Sequence, residues 1–316
     1  MPNINAPADT FSCPNFLGEL FQVGGKKTPF LNMIGGLNGQ GKKATSFEFP
    51  VSQDWALDAA SQPEISEDAA STAPPPTTYV RSQHTNTVQI FQRAVKITYA
   101  KQSSVGALSG INIEGSNPVK DEKAFQIDGN LKQIAQDVEY SFINGRYQAA
   151  TAANVPAKTR GMIEAATTNV VDAGSAALTT DMLDDLVRIM ADNGAPFTTP
   201  VLFAGSRKSQ QISKLYKESD KFTSHERNIG GVAVKSLIFD FVEVGIVWCP
   251  SLPHDALLIA DMSYIAPVFV PVPGKGYLFY EELAKKGAAE EGQLYGQIGL
   301  YYGPEAAHGK IIGLAA

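Results

Sequence analysis

The longest apolar period in the chain falls between residues 117 and 145. Ile127, Leu131, Ile134, Val138 and Phe142 recur at spacings of 4, 3, 4 and 4 and line one face of a helix. Asn117 supplies an N-cap, Pro118 suits the first helical position, and Asn144-Gly145 supplies the stop. At 1.5 Å per residue such a helix runs about 40 Å. Asp121, Lys132 and Glu139 fall on what reads as its solvated face. Two shorter helices follow. Met182, Leu183, Leu186, Val187 and Met190 mark one that ends at Asn193-Gly194, and Ser206 caps another bearing Ile212, Leu215 and Tyr216.

Elsewhere the period is two. Phe47, Phe49 and Val51 alternate with Glu48 and Pro50. From Thr87 to Tyr99, Phe91, Val95, Ile97 and Tyr99 share one parity while Val88 and Ile90 lie on the other, which predicts a bulge or strong twist near Ile90-Phe91. Between these runs Asp54, Asp58, Glu64, Glu67 and Asp68 stand without a base until Arg81, and Pro74-Pro75-Pro76 forms a stiff step. Residues 42–98 therefore read as an extended hairpin with a polar tip of about 30 residues, too long for an idle loop. Its arms would reach roughly 40 to 50 Å. A lone two-stranded hairpin is marginal in water, so it is expected to lie on another copy of the chain. Residues 1–41, glycine-rich but carrying Phe11, Phe16, Phe21, Phe30 and Leu31, read as an arm that packs along a surface such as another subunit's. Further strands are expected at 201–204, 232–239, 242–248, 256–260, 265–270, 294–302 and 310–314. The mixture is α+β.

Composition narrows the function. Hydrophobic residues make up 44% and charged residues 18%, an ordered globular balance, and the net charge of −6 argues against a grip on nucleic-acid phosphates. Cys13 and Cys249 build neither a disulfide framework nor a zinc site. No signal peptide or membrane-length apolar run is visible. Gly36-Leu37-Asn38-Gly39-Gln40-Gly41-Lys42-Lys43 nearly matches a phosphate-cradling loop, but Lys43 replaces the hydroxyl residue and a strand follows where a helix should. A nucleotide-binding enzyme using residues 36–43 is the outlying alternative. His84, His225, His254 and His308 are too dispersed for a metal site, and the acidic run lacks calcium-loop spacing. Arg207, Lys208, Lys214, Lys217 and Lys221 read as a basic surface helix that could meet a neighbour's acidic hairpin. No catalytic, metal or cofactor residues are expected.

The order of elements, with Asn86–Val95, Asp137–Gly145, Thr159–Ile163 and Tyr302–Leu314 as they stand here, resembles the tailed-bacteriophage major capsid proteins of the Hong Kong 97-type fold. The resemblance implies an N-terminal arm (1–41), an extended hairpin loop (42–98), a peripheral domain with a spine helix (99–164), an axial domain (165–265) and returning peripheral strands (266–316). It implies a major head protein that self-assembles through hexamers and pentamers into an icosahedral shell around double-stranded DNA, without tight or sequence-specific binding. Portal and scaffolding or decoration proteins are the other implied partners, the virion is the location, and assembly is in the host cytoplasm. No membrane is involved. A nanocompartment shell of the same fold, packaging an enzyme, is the nearer alternative. Subunit contacts are expected from Phe47, Phe49, Trp55, Asp54, Asp58, Glu64, Glu67, Asp68 and Phe91. Lys42 and Lys43 lie at the hairpin base and no lysine occupies its tip, so a lysine–asparagine cross-link is not expected. No long scaffolding segment precedes the arm, so scaffolding is expected to be a separate protein or to have been removed.

Overall fold

Apolar runs and their turn residues set the element boundaries in the computed structural model, which describes residues 26–55, 57–58, 60–74, 76–100, 122–216, 222–229 and 232–315. Pro29 opens a short helix, α1 (Pro29–Met33), followed by β1 (Lys42–Lys43), β2 (Glu48–Asp54), α2 (Glu67–Ala70), β3 (Ser82–Thr87) and β4 (Gln89–Thr98). The long helix is α3 (Glu122–Asn144). Then come α4 (Met162–Ala165), β5 (Val170–Asp172), α5 (Thr180–Asp192), β6 (Pro200–Ala204), α6 (Ser206–Leu215), β7 (Phe222–Ile229), β8 (Val232–Ile238) and β9 (Glu243–Trp248). The chain closes with β10 (Leu257–Asp261), β11 (Ala266–Phe269), β12 (Leu278–Glu282), β13 (Ala289–Tyr301) and β14 (Gly309–Ile312). The expected cap at Asn117-Pro118 lies outside the described residues. Thr179 caps α5 by accepting from the Met182 N–H at 3.3 Å, and Gly194 ends that helix with a φ of 79°. The cap of α6 is Gly205, one residue before the expected Ser206.

Three sheets result. β13 is the long spine of a five-stranded sheet, with β11 and β12 along one side, β4 along the other, and β1 parallel to β11. A seven-stranded sheet runs β5-β14-β10-β6-β9-β8-β7, and β2 and β3 form a ladder of their own. Every residue of β6 is buried, because the seven-stranded sheet is covered on both faces. Val201 and Phe203 belong to the core shared with α3 and the five-stranded sheet. Leu202 and Ala204 turn to the core under α5 and α6. The division expected at residue 266 is not followed by the strands: β14 returns to pair with β10 and β5.

The 23 residues of α3 span about 34 Å. Ile134, Val138 and Phe142 are buried as the stripe predicts, with Ile127 and Leu131 at its margin. Glu139 corrects the expected solvated face, because it is fully buried. Its Oε1 accepts from the Phe30 N–H at 3.2 Å and its Oε2 from the Leu31 N–H at 2.6 Å. Those amides belong to the first turn of α1 and have no acceptor within that helix. Phe30 meets the ring of Phe203 edge-on at 5.3 Å. This also corrects the reading of the arm. Residues 29–33 insert into the chain's own core rather than along a neighbour, because Phe30 and Leu31 gain burial and Glu139 gains donors together. Residues 1–25 lie outside the described residues.

Burial pushes the Glu139 carboxyl up to about 7, against the pull of the Leu31 and Phe30 amides and the Cys249 thiol. The folded chain therefore keeps this proton where the unfolded chain, ionising near 4.5, has lost it. Stability falls as pH rises through that window, by about 3 kcal/mol in all, and levels off above pH 7. Glu139→Gln is expected to remove this slope, and Glu139→Leu to cost about 2–4 kcal/mol by orphaning two buried amides. Urea unfolding of dissociated subunits between pH 5.5 and 8 checks both. A wild-type slope no steeper than that of Glu139→Gln would refute the assignment.

Candidate functional site: the hairpin and the junction that holds it

Among the described residues the hairpin is built from two strands with no third. β2 and β3 pair antiparallel from Glu48↔Thr87 to Asp54↔Ser82, with a register shift between Pro50 and Ser52. Only Val88 separates β3 from β4, yet β4 leaves the hairpin and pairs with β13 from Gln89↔Ile298 to Thr98↔Ala289. One stretch of chain thus serves two sheets. The parity switch expected as a bulge near Ile90-Phe91 is this change of sheet. Asn86, Thr87 and Val88 are buried in succession, and alternation then resumes with Phe91, Val95 and Ile97 inward and Ile90 outward. The Val88 N–H donates to the Phe47 carbonyl at 2.7 Å across the change.

The predicted contact residues divide. Phe49 and Phe91 are each 6% exposed and belong to the chain's own core. A Cβ on Gly299 would stand 2.9 Å from the Phe49 ring, so that glycine is the seat of the ring. As subunit contacts these two are corrected, because their surfaces are already covered from within the chain. Phe47 is partly exposed. Trp55, just past β2, meets Tyr79, just before β3, with ring centroids 5.5 Å apart, which clamps the far end of the ladder. Asp54 accepts from the Ser52 hydroxyl at 3.0 Å and lies 3.4 Å from His84 Nε2. Glu67 and Asp68 occupy the first turn of α2, where the helix N-terminus favours them, behind the N-cap Ser66. Asp58 and Glu64 are exposed.

The root of the hairpin is polar and closed to water. Asn86 is fully buried. Its Nδ2 donates to the Leu300 carbonyl at 2.8 Å, with Thr159 Oγ1 at 3.2 Å and the Arg160 carbonyl at 3.3 Å also in range. Its Oδ1 accepts from the Thr87 and Arg160 amides, each at 2.8 Å. Thr159 Oγ1 also accepts from the Leu300 N–H at 3.2 Å. The Gly161 N–H donates to the Gly145 carbonyl at 2.8 Å. A Cβ on Gly145 would stand 2.4 Å from the Thr159 carbonyl, so glycine there permits the approach. Arg160 Nη1 donates to the Tyr302 hydroxyl at 3.2 Å, and Lys310 Nζ to the Ile163 carbonyl at 2.8 Å. The four segments that carry the resemblance therefore meet at one junction. Local sequence pattern shows them as separate segments and gives no signal that Asn86 and Thr159 join them.

Beside the junction, burial would raise the Glu305 carboxyl, but hydrogen bonds from Thr168 and Thr167 outweigh it and hold it below the usual carboxylate range. His308 is buried, with Nδ1 accepting from the Asp261 N–H at 3.2 Å and Nε2 2.6 Å from the Tyr302 carbonyl. Burial lowers its pKa, so the ring is neutral and serves as a bracket within the fold.

Two other candidates change. The loop of residues 36–43 follows α1 and opens β1, without the strand-to-helix frame that presents amides to a phosphate. Lys42 Nζ sits 3.0 Å over the Tyr301 ring and Lys43 Nζ 5.5 Å over Tyr277, so both cations already have aromatic partners. The basic surface helix is also corrected. Lys208 is buried and donates to the Ala315 carbonyl, while Lys217 and Lys221 lie outside the described residues.

An arm, an isolated hairpin, a long helix and two sheets in this order form the Hong Kong 97-type fold of shell proteins. The capsid of cyanophage A-1(L) matches with a TM-score of 0.63 at 10% identity, over 96% of this chain and 96% of that one. The capsid of a native GTA particle matches at 0.59 and 14% identity, over 98% and 95%. The SrpI encapsulin of Synechococcus elongatus matches at 0.58 and 11% identity, over 95% and 92%. Among curated proteins none matches by sequence. The family model of the SU10 major capsid protein matches residues 3–315, and the chain belongs to that family: it is a shell-forming capsid protein and a component of a virion. Among the described residues no helix is long and apolar enough to cross a membrane.

Asn86→Leu is expected to leave the Thr87 and Arg160 amides and the Leu300 carbonyl unpartnered, costing about 3–5 kcal/mol. Hydrogen exchange should then quicken over Phe47–Asp54 before it quickens in β6 or β10. Uniform quickening, or none, would refute a local role at the root.

Proposed function

We propose that this capsid protein assembles as hexamers and pentamers into an icosahedral shell around double-stranded DNA, and that its hairpin secures each subunit by lying on the next. One observation carries the reading. Trp55, Leu57, Ile65, Tyr79 and Val80 are exposed at and beyond the far end of a ladder that has no third strand among the described residues. Covering a large apolar side chain is worth about 1.5–3 kcal/mol, and a neighbouring copy is the surface a self-assembling chain always has at hand. The acidic tip residues Asp58, Glu64, Glu67 and Asp68 serve register and steering more than affinity. The five-stranded sheet with α3 corresponds to a peripheral domain, and the seven-stranded sheet, with β14 added, to an axial one. The net charge of −6 suits a wall that encloses DNA without gripping it. Portal and scaffolding or decoration proteins complete the particle, which forms in the host cytoplasm. The role is mechanical rather than catalytic. Packaged content separates this reading from that of an enzyme-filled compartment, because purified particles should hold nucleic acid.

Leu57→Ser with Ile65→Ser should leave the stability of the free subunit within about 0.5 kcal/mol, yet raise the protein concentration needed for assembly severalfold by sedimentation. Replacing Asp54, Asp58, Glu64, Glu67 and Asp68 by their amides should slow assembly at low salt and matter less at high salt. Unchanged assembly in both variants would refute the overlapping hairpin.

A further inference from the structure

Asn-Gly occurs three times in the chain, at Asn38-Gly39, Asn144-Gly145 and Asn193-Gly194. The pair carries a latent reaction. The backbone nitrogen after the asparagine can attack the side-chain carbonyl carbon and close a five-membered imide, and glycine, with no Cβ, leaves that nitrogen open. The fold ties down two of the three. Asn144 ends α3 and Asn193 caps the end of α5. The Gly145 N–H donates to the Ser141 carbonyl at 2.8 Å, and the Gly194 N–H to the Ala191 carbonyl at 3.0 Å. The groups that would leave are held as well, since Asn144 Nδ2 donates to the Ser251 carbonyl at 2.7 Å and Asn193 Nδ2 to Asn169 Oδ1 at 2.8 Å. Attack at either site requires the helix end to open first.

Asn38-Gly39 is the opposite case. Asn38 is exposed, in the loop between α1 and β1. Among the described residues neither the Gly39 N–H nor Asn38 Nδ2 has a hydrogen-bond acceptor. Asn38 Oδ1 accepts from the Gln40 N–H at 3.3 Å. That turn folds the side chain back over the amide in between, which brings the reacting atoms together. The Gln40 N–H also faces the oxygen on which negative charge develops during attack.

We propose that Asn38 is a site of spontaneous deamidation through a cyclic imide with Gly39. The Gly39 nitrogen gives its proton to hydroxide and bonds to Asn38 Cγ. The Cγ–Nδ2 bond breaks, and ammonia leaves with a proton from water. Water then opens the imide at one carbonyl or the other, giving aspartate or isoaspartate. Both put a carboxylate where the amide stood, and isoaspartate also routes the main chain through the side chain, one methylene longer. The loop has no slack for it. A Cβ on Gly39 would stand 2.8 Å from the Tyr277 ring, and one on Gly41 would stand 2.1 Å from the Pro267 carbonyl. The added length therefore falls on β1, whose Lys42 and Lys43 pair with Val268 and Phe269 of β11. The reaction runs one way, so the loop becomes a mark of the protein's age.

Peptide mapping of dissociated full-length subunits aged at pH 7 and pH 9, with fragmentation that separates isoaspartate from aspartate, tests it. The modified fraction at Asn38 should exceed that at Asn144 or Asn193 by about tenfold or more in the folded chain. It should be larger at the higher pH, because the attacking nitrogen must lose its proton. In urea the three sites should react at similar rates. Gln40→Pro keeps the Asn-Gly pair but removes the N–H that faces the developing charge, and should slow the reaction severalfold. In the isoaspartate-bearing fraction the Ala44 N–H, which donates to the Phe269 carbonyl at 3.0 Å, should exchange severalfold faster than in unmodified chains. Modification of Asn38 no faster than of Asn144 and Asn193, or a preference for Asn38 that persists in urea, overturns the site. Unchanged exchange at Ala44 overturns its effect on β1.

Discussion

The side-chain amide of Asn86 is where the hairpin becomes part of the molecule. A buried amide is stabilising only when its donors and acceptor are all engaged, and the cost of leaving one unmade exceeds the gain of making it. Here the partners come from β3 itself, from residues 159–160 and from β13, three pieces far apart in sequence. Satisfying one group therefore fixes the relative positions of all three. Phe49 on Gly299 adds the apolar half of the same joint. The proposed overlap makes the hairpin a lever between subunits, and such a lever must be rigid where it is rooted and adaptable where it lands. At the root the Asn86 amide is buried with its donor and acceptor both engaged, while the described residues of the tip beyond the Trp55–Tyr79 pair are exposed coil apart from the single turn of α2.

The same division explains why α3 is the natural backing for the hairpin. Its apolar face packs on the inward residues of β4 and on the core shared with β6. On its flank, Glu139 draws α1 into that core. A carboxyl group buried without a basic residue is costly to ionise, and Glu139 accordingly holds its proton up to about pH 7. It is tolerated here because the first turn of α1 presents two amides that have no acceptors of their own. The arm's helical turn α1, the spine and the hairpin root thus belong to one packed core, and a change in any one is felt by the others.

Much of this was legible in the sequence, and what was not has a common cause. The stripe of α3, the buried β6 and the alternation of β13 follow from local periodicity, which reports only a segment's own exposure pattern. The order of hairpin, long helix and alternating elements sufficed for the fold and, through it, for the shell-forming family. Periodicity misplaced Glu139 because position 139 flanks the stripe and turns inward only when a segment 108 residues earlier supplies donors. It missed Asn86 because three successive buried residues, two of them polar, imitate an exposed turn. Phe49 and Phe91 read from sequence as subunit contacts because a strand's apolar face looks the same whether its cover comes from the same chain or from another. β7, with the polar run Phe222–Ile229, and β12 offered no clean alternation and were not anticipated.

That last ambiguity bears on the tip as well. An isolated ladder is marginal by itself, and closing it at both ends, with Asn86 and Phe49 at the root and Trp55 on Tyr79 at the far end, prepays part of the ordering entropy before a neighbour arrives. Contact made afterwards by the apolar tip then costs less to order and yields more net affinity. The acids gain little by being buried, since desolvation offsets most of their attraction, so they are better kept at the rim, where repulsion between misaligned tips selects register. On the proposed overlap, affinity resides in a few apolar side chains, register in the acids, and strength in a buried amide well away from either.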